Sequence, residues 1–276
     1  MTTKTWFITG CSSGFGRALA EAALARGQRV IATARDIRSI ADLEQADRCQ
    51  VMTLDITEAS EIPSVIQAAA NVWGGLDVIV NNAGYGLIGA VEECGDEQIR
   101  RNFETNFFGP LNVMRAALPL LRAQKSGHIV NISAAAAISN YAGFGIYGGA
   151  KAALELMSES LRAELVPLGI KVTLVQPGPF RTDFISRGME KASDLISDYD
   201  ATSGRFAKFL ASMNGKQPGD PARAASAIVE TVLSGEAPLH LPLGKYVVKK
   251  LRDKAAALTR EADKWEAVAA STEFPI

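Results

Sequence analysis

A tyrosine and a lysine stand four residues apart in the segment Tyr147-Gly148-Gly149-Ala150-Lys151. Residues at this spacing lie on the same face of a helix, so the phenol and the ammonium group are neighbours. A nearby cation favours the phenolate and lowers the pKa of a tyrosine, which is about 10 in isolation. A tyrosine tuned in this way exchanges a proton with an alcohol or a carbonyl group. Such a pair also occurs on ordinary surface helices, so it indicates catalysis only together with a second sequence motif.

A glycine-rich turn near the N-terminus is the candidate for that second motif. Residues 9–16 read TGCSSGFG and join an apolar, strand-like run to a helical pattern. Gly10 permits a tight turn, Gly14 lets the backbone approach a pyrophosphate, and Gly16 allows the helix to pack closely on the strand. The N–H groups that open the helix attract phosphate, which predicts a dinucleotide site, with a turn that binds no ligand as the alternative. The expected contacts are Gly10, Ser12, Ser13, Gly14, Phe15 and Gly16.

The end of the second predicted strand carries the residues that select between nicotinamide dinucleotides. An acidic residue there binds the ribose 2′-hydroxyl of NAD, whereas an arginine binds the 2′-phosphate of NADP. Ala34 stands in the acidic place and Arg35 follows it, so NADP(H) is the preferred cofactor. NAD(H) is the alternative, because Asp36 reaches the ribose if Arg35 turns outward. Asp55 and the adjacent Ile56 follow the third strand and are expected near the cofactor, although Asp55 could instead cap a turn.

Short apolar runs that alternate with helical patterns position these residues. Apolar runs without polar alternation are typical of strands buried on both faces, and their alternation with helices favours right-handed βαβ units. The predicted strands are residues 5–9, 29–33, 50–54, 76–80, 128–132, 171–175 and 239–241. The predicted helices are residues 17–26, 62–73, 98–124 and 147–165.

The predicted fold class is therefore α/β, a doubly wound parallel sheet of the Rossmann type with about seven strands and helices on both faces. We expect one domain over residues 1–276. Residues 182–218 show weak periodicity, which predicts a loop or a substrate lid. Residues 246–276 are expected to form a C-terminal helical tail that is broken near Thr259.

The composition limits the classes of partner. The 276 residues include 29 Lys and Arg and 30 Asp and Glu, a net charge of −1, which gives no overall attraction for nucleic acid or for an anionic membrane. The two histidines and three separated cysteines lack metal-ligand spacing, so no metal site is predicted. There is no apolar run long enough to span a bilayer and no signal-peptide pattern, so the expected location is cytoplasmic.

Three further motifs stand in a fixed order around the tyrosine and the lysine. They are NNAG at residues 81–84, an asparagine at Asn106 in the central helical pattern, and PGPFRT at residues 177–182. Together with TGCSSGFG and YGGAK, they resemble the short-chain dehydrogenase/reductase family over residues 5–183. The most similar branch is the one that holds hydroxysteroid- and retinol-dehydrogenase-like members. The resemblance implies an NAD(P)-dependent oxidoreductase that acts on CH–OH groups.

The resemblance also implies a role for each matched residue. Tyr147 is the general acid/base, Lys151 lowers its pKa and holds the nicotinamide ribose, and Asn106 anchors a water that links Lys151 to solvent. The further cofactor contacts that it implies are Asn82, Ala83, Gly84, Pro177, Gly178, Phe180 and Thr182. It implies as well a homodimer or a homotetramer, formed through the long helices around residues 102–121 and 154–165.

The chain departs from the family at the catalytic serine, thirteen residues before the tyrosine. That position is Ala134, and Ser133 precedes it by one residue. Because side chains alternate between the faces of a strand, Ser133 is expected to point away unless a bulge rotates it, and Ser139 is a weak substitute. Loss of one donor to a developing oxyanion costs about 3 to 4 kcal/mol. Three explanations are open: an engineered Ser-to-Ala variant, a natural enzyme with another donor, or a protein that kept binding and lost catalysis.

The leading hypothesis is interconversion of a ketone and a secondary alcohol with NADP(H), weakened by Ala134. The substrate is expected to be a small molecule with an apolar body that contacts Ala134, Tyr141 and Phe144, below an apolar lid. Those lid side chains could equally serve only to pack the lid on the domain. The alternatives are a catalytically impaired cofactor sensor on the same scaffold, and a lyase or isomerase that uses Tyr147 without net redox.

Overall fold

A parallel sheet of seven strands lies at the centre of the protein. The computed structural model describes residues 3–274. The strands are β1 (Thr5–Ile8), β2 (Arg29–Ala34), β3 (Cys49–Thr53), β4 (Val78–Asn81), β5 (Gly86–Ile88), β6 (Gly127–Ile132), β7 (Ile170–Pro177), β8 (Met189–Lys191) and β9 (His240–Leu243). The helices are α1 (Gly14–Ala25), α2 (Ile62–Trp73), α3 (Asp96–Phe103), α4 (Gly109–Gln124), α5 (Ala135–Ile138), α6 (Gly145–Leu165), α7 (Arg205–Ser212), α8 (Pro221–Ser234) and α9 (Lys245–Ala270).

The order of strands across the main sheet is β3-β2-β1-β4-β6-β7-β9, and every neighbouring pair is parallel. The chain runs outward from β1 to β3 and then returns to place β4 on the other side of β1. The direction of winding therefore reverses between β1 and β4, and ligands of such sheets bind at the carboxyl ends of the strands at this reversal. The predicted doubly wound α/β fold is confirmed. Strands β5 and β8 form a separate parallel pair.

Alternate side chains of β1 enter two different cores. Trp6 and Ile8 pack with residues of α1 and α8, whereas Phe7 packs with residues of α2, α4 and α6. All three side chains are fully buried. Helices cover both faces of the sheet, which explains why the strand has no polar alternation.

Two helical segments differ from the pattern predicted from the sequence. Residues 98–124 form α3 and α4, joined by a π-helical turn, Glu104–Phe108, which contains Asn106. The predicted break near Thr259 is wrong, because α9 continues through this residue. The Thr259 hydroxyl donates to the Ala255 carbonyl oxygen at 3.1 Å, so the helix itself satisfies this polar side chain.

The predicted lid contains regular structure and is anchored by a buried carboxylate. Residues 182–218 include β8, α7, a 3-10 segment at Ser197–Tyr199 and a π-helical turn at Asp200–Gly204. Glu93, which is 5% exposed, accepts hydrogen bonds from the Ala90 and Ile196 N–H groups at 2.6 and 3.0 Å and from the Ser203 hydroxyl at 3.4 Å. These bonds fix the lid to the segment that follows β5.

No helix within residues 3–274 combines the length and the apolar character that are needed to cross a bilayer.

Candidate active site

A cavity of about 1400 Å³ lies at the carboxyl edge of the main sheet and extends beneath the lid. Two of the predicted site residues do not line it, because Gly16 packs behind the first turn and Asn106 lies beside Gly84. The predicted residues that line the cavity are Gly10, Ser12, Ser13, Gly14, Phe15, Arg35, Asp55, Ile56, Asn82, Ala83, Gly84, Ala134, Tyr141, Phe144, Tyr147, Lys151, Pro177, Gly178, Phe180 and Thr182.

Close packing between the first turn and α1 accounts for its glycines. Gly10 and Gly14 have left-handed backbone conformations, with φ of 72° and 58°. A β-carbon on Gly16 would overlap the Gly10 carbonyl oxygen and Nδ2 of Asn82. The side chain of Ser13, the residue that precedes α1, makes no capping hydrogen bond to the helix. The turn therefore presents bare backbone and an uncapped helix N-terminus to the cavity, an arrangement that suits a phosphate group.

The NNAG segment at the end of β4 fixes this turn. Asn82 Nδ2 donates to the carbonyl oxygens of Thr9 and Gly10 at 2.9 and 3.1 Å. The backbone N–H groups of Asn82 and Ala83 donate to the Thr9 hydroxyl at 3.0 and 3.1 Å. Asn81 points away from the turn and donates to Asn131 Oδ1 at 2.8 Å. The ends of β1 and β4 are thus held together by side-chain bonds beyond the sheet ladder.

The end of β2 presents an arginine to the cavity. Arg35 lines the cavity with Ala34 and Ser39. Asp36 is instead engaged with Arg38, accepting its N–H at 3.0 Å and its guanidinium at 2.9 Å through each carboxylate oxygen. These bonds from Arg38 hold the pKa of the Asp36 carboxyl below its usual value. The alternative in which Asp36 takes the place of Arg35 is therefore not the arrangement that the structure shows.

Asp55 caps a turn and also lines the cavity. Its Oδ1 accepts the Thr57 N–H at 3.0 Å and the Thr57 hydroxyl at 2.8 Å. The cap fixes the backbone where it enters the cavity wall, together with Ile56. The capping role left open by the sequence is present, and a role near a cofactor stays a prediction.

Tyr147 and Lys151 lie one turn apart near the start of α6 and are 6% and 4% exposed. Lys151 Nζ donates to the Ile132 carbonyl oxygen at the end of β6 at 3.0 Å. Burial lowers the pKa of Lys151 to about 8, and the negative charge of Glu155 partly opposes this shift. Burial raises the pKa of Tyr147. The expected lowering of the Tyr147 pKa by Lys151 is absent, because desolvation dominates around the phenol.

The π-helical turn brings Asn106 close to the Lys151 ammonium. Asn106 Nδ2 donates to the carbonyl oxygens of Tyr85 and Asn102 at 2.9 and 3.0 Å. Its Oδ1 is buried without a hydrogen-bond partner among residues 3–274. A β-carbon on Gly84 would lie 2.6 Å from this oxygen and 3.3 Å from Lys151 Nζ. An unpaired acceptor and an ammonium group therefore flank the same small space at Gly84, where a polar bridge such as a water molecule fits their chemistry.

Ser133 also lines the cavity, but a buried carboxylate engages its side chain. Its hydroxyl donates to Glu155 Oε1 at 2.5 Å, and Gln176 Nε2 donates to both Glu155 oxygens at 3.0 Å. Burial raises the pKa of Glu155 against the effect of these hydrogen bonds. Ala134 takes the cavity wall beside Tyr147 and carries no polar group. Ser133 therefore does not replace the hydroxyl missing at Ala134, as strand alternation predicts.

The lid end of the cavity is largely aromatic. Phe144 contacts Tyr147 edge to face with ring centroids 5.2 Å apart, and Tyr141 stacks on Phe206 at 5.0 Å. Phe184 lies 5.8 Å from the Tyr147 ring. The other apolar lid residues in the cavity wall are Ile185, Met189, Phe209, Leu210 and Met213. Phe184 and Phe206 both line the cavity and pack on the body, and contact between the lid and a substrate stays a prediction.

Sequence reasoning missed the contribution of α9 to this wall. The Tyr246 and Tyr141 hydroxyls are hydrogen-bonded at 2.5 Å, and Lys250 Nζ lies 3.7 Å from the centroid of the Tyr141 ring. The available sequence signal was an aromatic residue three positions after the last strand, at the carboxyl edge of the sheet. The other cavity residues that were missed include Ser39, Leu54, Thr57, Arg101, Glu104, Thr105 and Gln217.

Known proteins are similar to this chain in both sequence and fold. A family profile described as short chain dehydrogenase matches residues 4–192. The chain is 35% identical to oxidoreductase BOA17 of Botryotinia fuckeliana, over 95% of this chain and 97% of that protein. A short-chain dehydrogenase from Streptomyces avermitilis has a crystal structure with a TM-score of 0.92 and 40% identity, covering 99% of this chain and 100% of the other.

A further solved structure was determined with a cofactor. It is a short chain dehydrogenase from Burkholderia cenocepacia in complex with NADP, with a TM-score of 0.72 and 25% identity. The similarity covers 99% of this chain and 98% of the other.

The packing at Gly16 yields a testable prediction. Gly16→Ala should lower the free energy of unfolding by roughly 1–3 kcal/mol, because its methyl group overlaps the Gly10 carbonyl. It should also weaken NADPH binding by roughly 10-fold or more, because α1 can no longer approach the turn. Urea denaturation and fluorescence titration measure the two effects.

Gly27→Ala is the matched control. Gly27 has φ of 71° and no neighbour within 4 Å of an added β-carbon, and it lies at the opposite end of α1. The control should lose about 1 kcal/mol through backbone strain and bind NADPH normally. Unchanged NADPH affinity in Gly16→Ala would contradict the role of this packing.

The depressed pKa of Lys151 predicts a pH-dependent stability. Between pH 8 and 10.5 the unfolded chain keeps a proton on Lys151 that the folded protein has released. The free energy of unfolding of the wild type should therefore rise with pH across this interval relative to Lys151→Met, by at most about 3 kcal/mol. Urea denaturation at several pH values measures the difference.

The exposed substitution Lys216→Met serves as the control and should leave the pH dependence of the wild type unchanged. Parallel pH profiles for the wild type and Lys151→Met would show that Lys151 is not desolvated in solution.

Proposed function

The chain belongs to the short-chain dehydrogenase family, and on this basis we propose that it is an NADP(H)-preferring oxidoreductase that interconverts a ketone and a secondary alcohol. The observation that carries this proposal is the placement of the buried Tyr147 and Lys151 in the same cavity as the bare glycine turn. A proton-transfer group and a phosphate-binding turn thus face one continuous space. The cytoplasmic location and the homodimer or homotetramer expected from the sequence stay predictions.

The residues at the carboxyl edge of the sheet fit a nicotinamide dinucleotide phosphate. The turn at Gly10 and the uncapped N-terminus of α1 would hold the pyrophosphate, and Arg35 and Ser39 would hold the 2′-phosphate. Lys151 would hold the nicotinamide ribose. When bound, the nicotinamide supplies or accepts the hydride. The NADP bound to the relative from Burkholderia cenocepacia is consistent with this choice of cofactor.

Tyr147 moves the proton that the reaction requires. Its raised pKa keeps the phenol protonated at neutral pH, so the hydroxyl can donate a proton to a carbonyl oxygen that gains negative charge. Desolvation dominates the pKa of this phenol, so the role of Lys151 in the proposal is to hold the nicotinamide ribose one turn further along α6. The unpaired Asn106 Oδ1 then offers an acceptor through which a bridging water can return a proton toward Lys151.

Ala134 removes one hydrogen-bond donor from this machinery. A hydroxyl at this place would stabilise negative charge on the substrate oxygen, and the methyl group cannot. Ser133 is occupied by Glu155, so the polar stabilisation falls to Tyr147. We expect an active but slow enzyme.

The substrate that suits this cavity has one reactive oxygen and an apolar body. Tyr147 marks the place of the oxygen, and Phe144, Phe184 and Phe206 surround the adjoining space. Such walls favour ring systems or alkyl chains through burial of apolar surface.

A catalytically impaired cofactor sensor is the second candidate. The observation in its favour is the apolar wall at Ala134, beside an intact phosphate-binding turn. A sensor would bind NADPH tightly and would turn over no ketone, even with the serine restored.

Restoring the serine separates the two candidates. Ala134→Ser should raise kcat toward apolar ketones by up to roughly 10²–10³-fold, because it restores one donor to the developing oxyanion. The affinity for NADPH should stay the same. The loss of NADPH absorbance with a panel of cyclic, aryl and long-chain ketones measures kcat.

Ala135→Ser adds the same hydroxyl at the neighbouring position and should not raise the rate. Tyr147→Phe should abolish turnover in the Ala134→Ser background and keep NADPH binding. Tight NADPH binding without turnover of any ketone by Ala134→Ser would favour the sensor.

The cofactor preference depends on Arg35. Arg35→Ala should weaken NADPH binding by roughly 10–100-fold and leave NADH binding almost unchanged, because the guanidinium would contact only the 2′-phosphate. Calorimetric titration of both cofactors measures the change.

Arg48→Ala removes an exposed positive charge outside the cavity and is the control for net charge. A wild type that binds NADH more tightly than NADPH, or equal losses for both cofactors in Arg35→Ala, would contradict the preference.

A further inference from the structure

The C-terminal helix α9 exposes apolar side chains along most of its 26 residues. Val247 is its one buried residue within the described range. Leu258, Trp265 and Val268 are 51%, 56% and 55% exposed. An exposed helix of this length gains most of its stability from an apolar face packed against a partner. Beyond its first turns, α9 is exposed and has no such partner among residues 3–274.

Large apolar residues recur along α9 at intervals of seven residues. Leu251, Leu258 and Trp265 recur every seven residues on one face of α9. Between them a second row recurs at the same interval, consisting of Val248, Ala255, Ala262 and Ala269. Two rows spaced alternately by three and four residues form the apolar seam of a two-stranded coiled coil, in which large side chains of one helix fit between residues of the other. The seam pairs large residues with small ones, so two such helices can approach closely.

The charges beside the seam favour an antiparallel partner of the same sequence. The first half of α9, residues 245–257, has five basic residues and one acidic residue, whereas residues 258–270 have two basic and three acidic residues. A parallel pair would place the two basic halves together. An antiparallel pair sets each basic half against the more acidic half of the other copy and brings Arg252 of each chain near Glu266 of the other. The like charges of Glu261 meet at the centre, where the side chain is exposed to solvent.

The outer face of α9 supports the same orientation. Lys249 and Asp253 form an ion pair within the helix on the side away from the seam. Arg252 and Glu266, which flank the seam, make no ion pair within residues 3–274. The charges that an antiparallel copy would meet are thus available to it.

We propose that α9 pairs with α9 of a second copy of this chain as an antiparallel coiled coil. The seam is narrow, and the acidic residues Glu261, Asp263 and Glu266 surround its tryptophan. An anionic membrane surface would repel this half of the helix, so a second copy is the better match. The pair would rest on the first turns of α9, where Tyr246 and Lys250 contact Tyr141 at the cavity wall.

Cysteine cross-linking of the full-length protein tests the orientation. In the antiparallel register that places Leu258 opposite Ala262, Thr259 lies next to Thr259 of the other copy. Thr259→Cys should therefore form an interchain disulfide in mild oxidant, while Arg260→Cys, on the outer face, should not. A mixture of Leu251→Cys and Ala269→Cys should cross-link to each other. Cross-linking of Leu251→Cys with itself would show a parallel pair and overturn the proposal.

Molar mass in solution tests the surface itself. The double variant Leu258→Glu/Trp265→Glu should contain half as many chains per particle as the wild type, because it places charge in the seam. Ala256→Glu/Ala267→Glu adds the same charge on the outer face and should keep the wild-type mass. Both are measured by sedimentation equilibrium, with circular dichroism to confirm that the sheet and helices persist.

An unchanged mass in Leu258→Glu/Trp265→Glu, or a monomeric wild type, would overturn the proposal. Sedimentation of the wild type with vesicles of anionic phospholipid would also overturn it, since a membrane surface would then cover the apolar seam of α9. NADPH binding is measured in the same samples, so a failure of the helix pairing is distinguished from a failure of the proposed cofactor site.

Discussion

The burial of the Lys151 ammonium is the constraint around which the site is built. A buried charge is tolerated only where polar groups compensate for lost water. The Ile132 carbonyl supplies one hydrogen bond, Glu155 supplies negative charge one turn further along α6, and Asn106 Oδ1 borders the same small space at Gly84 as the ammonium group. Each compensating group comes from a different element, so the position of the ammonium is set by the sheet, by α6 and by the π-helical turn at once.

The same compensation explains why the Ser133 hydroxyl is occupied. Glu155 is itself largely buried, and its oxygens are satisfied by Ser133 and Gln176. Turning the Ser133 hydroxyl toward Tyr147 would leave a buried carboxylate oxygen short of a donor, which is costly. The network that supports Lys151 therefore keeps the Ser133 hydroxyl bonded to Glu155, and the chain does not recover a hydroxyl at Ala134 by a simple rotation.

The sequence was sufficient wherever local chemistry decides the structure. The apolar runs predicted every strand of the main sheet, because strands covered on both faces cannot alternate. The sequence also predicted that Ser133 does not replace a hydroxyl at Ala134, in agreement with its bond to Glu155, and the glycine spacing predicted the bare turn. Prediction from the sequence failed where contacts between distant residues determine the structure. The hydrogen bonds that Glu93 accepts from Ile196 and Ser203 join segments about a hundred positions apart. No local sequence pattern predicts such contacts. Tyr246 reaches Tyr141 only because β9 ends at the same edge of the sheet as β6.

The environment of Tyr147 favours proton donation over proton removal. Burial and the aromatic neighbours Phe144 and Phe184 disfavour the phenolate, so the hydroxyl is protonated at neutral pH. A protonated phenol is the form that a carbonyl oxygen requires, whereas alcohol oxidation requires the phenolate. In the proposed reaction Ala134 would not share the developing charge, so transfer of the Tyr147 proton would neutralise the oxygen as that charge forms. Under the proposed function, the protonated Tyr147 is therefore the group that would supply the proton to a carbonyl oxygen.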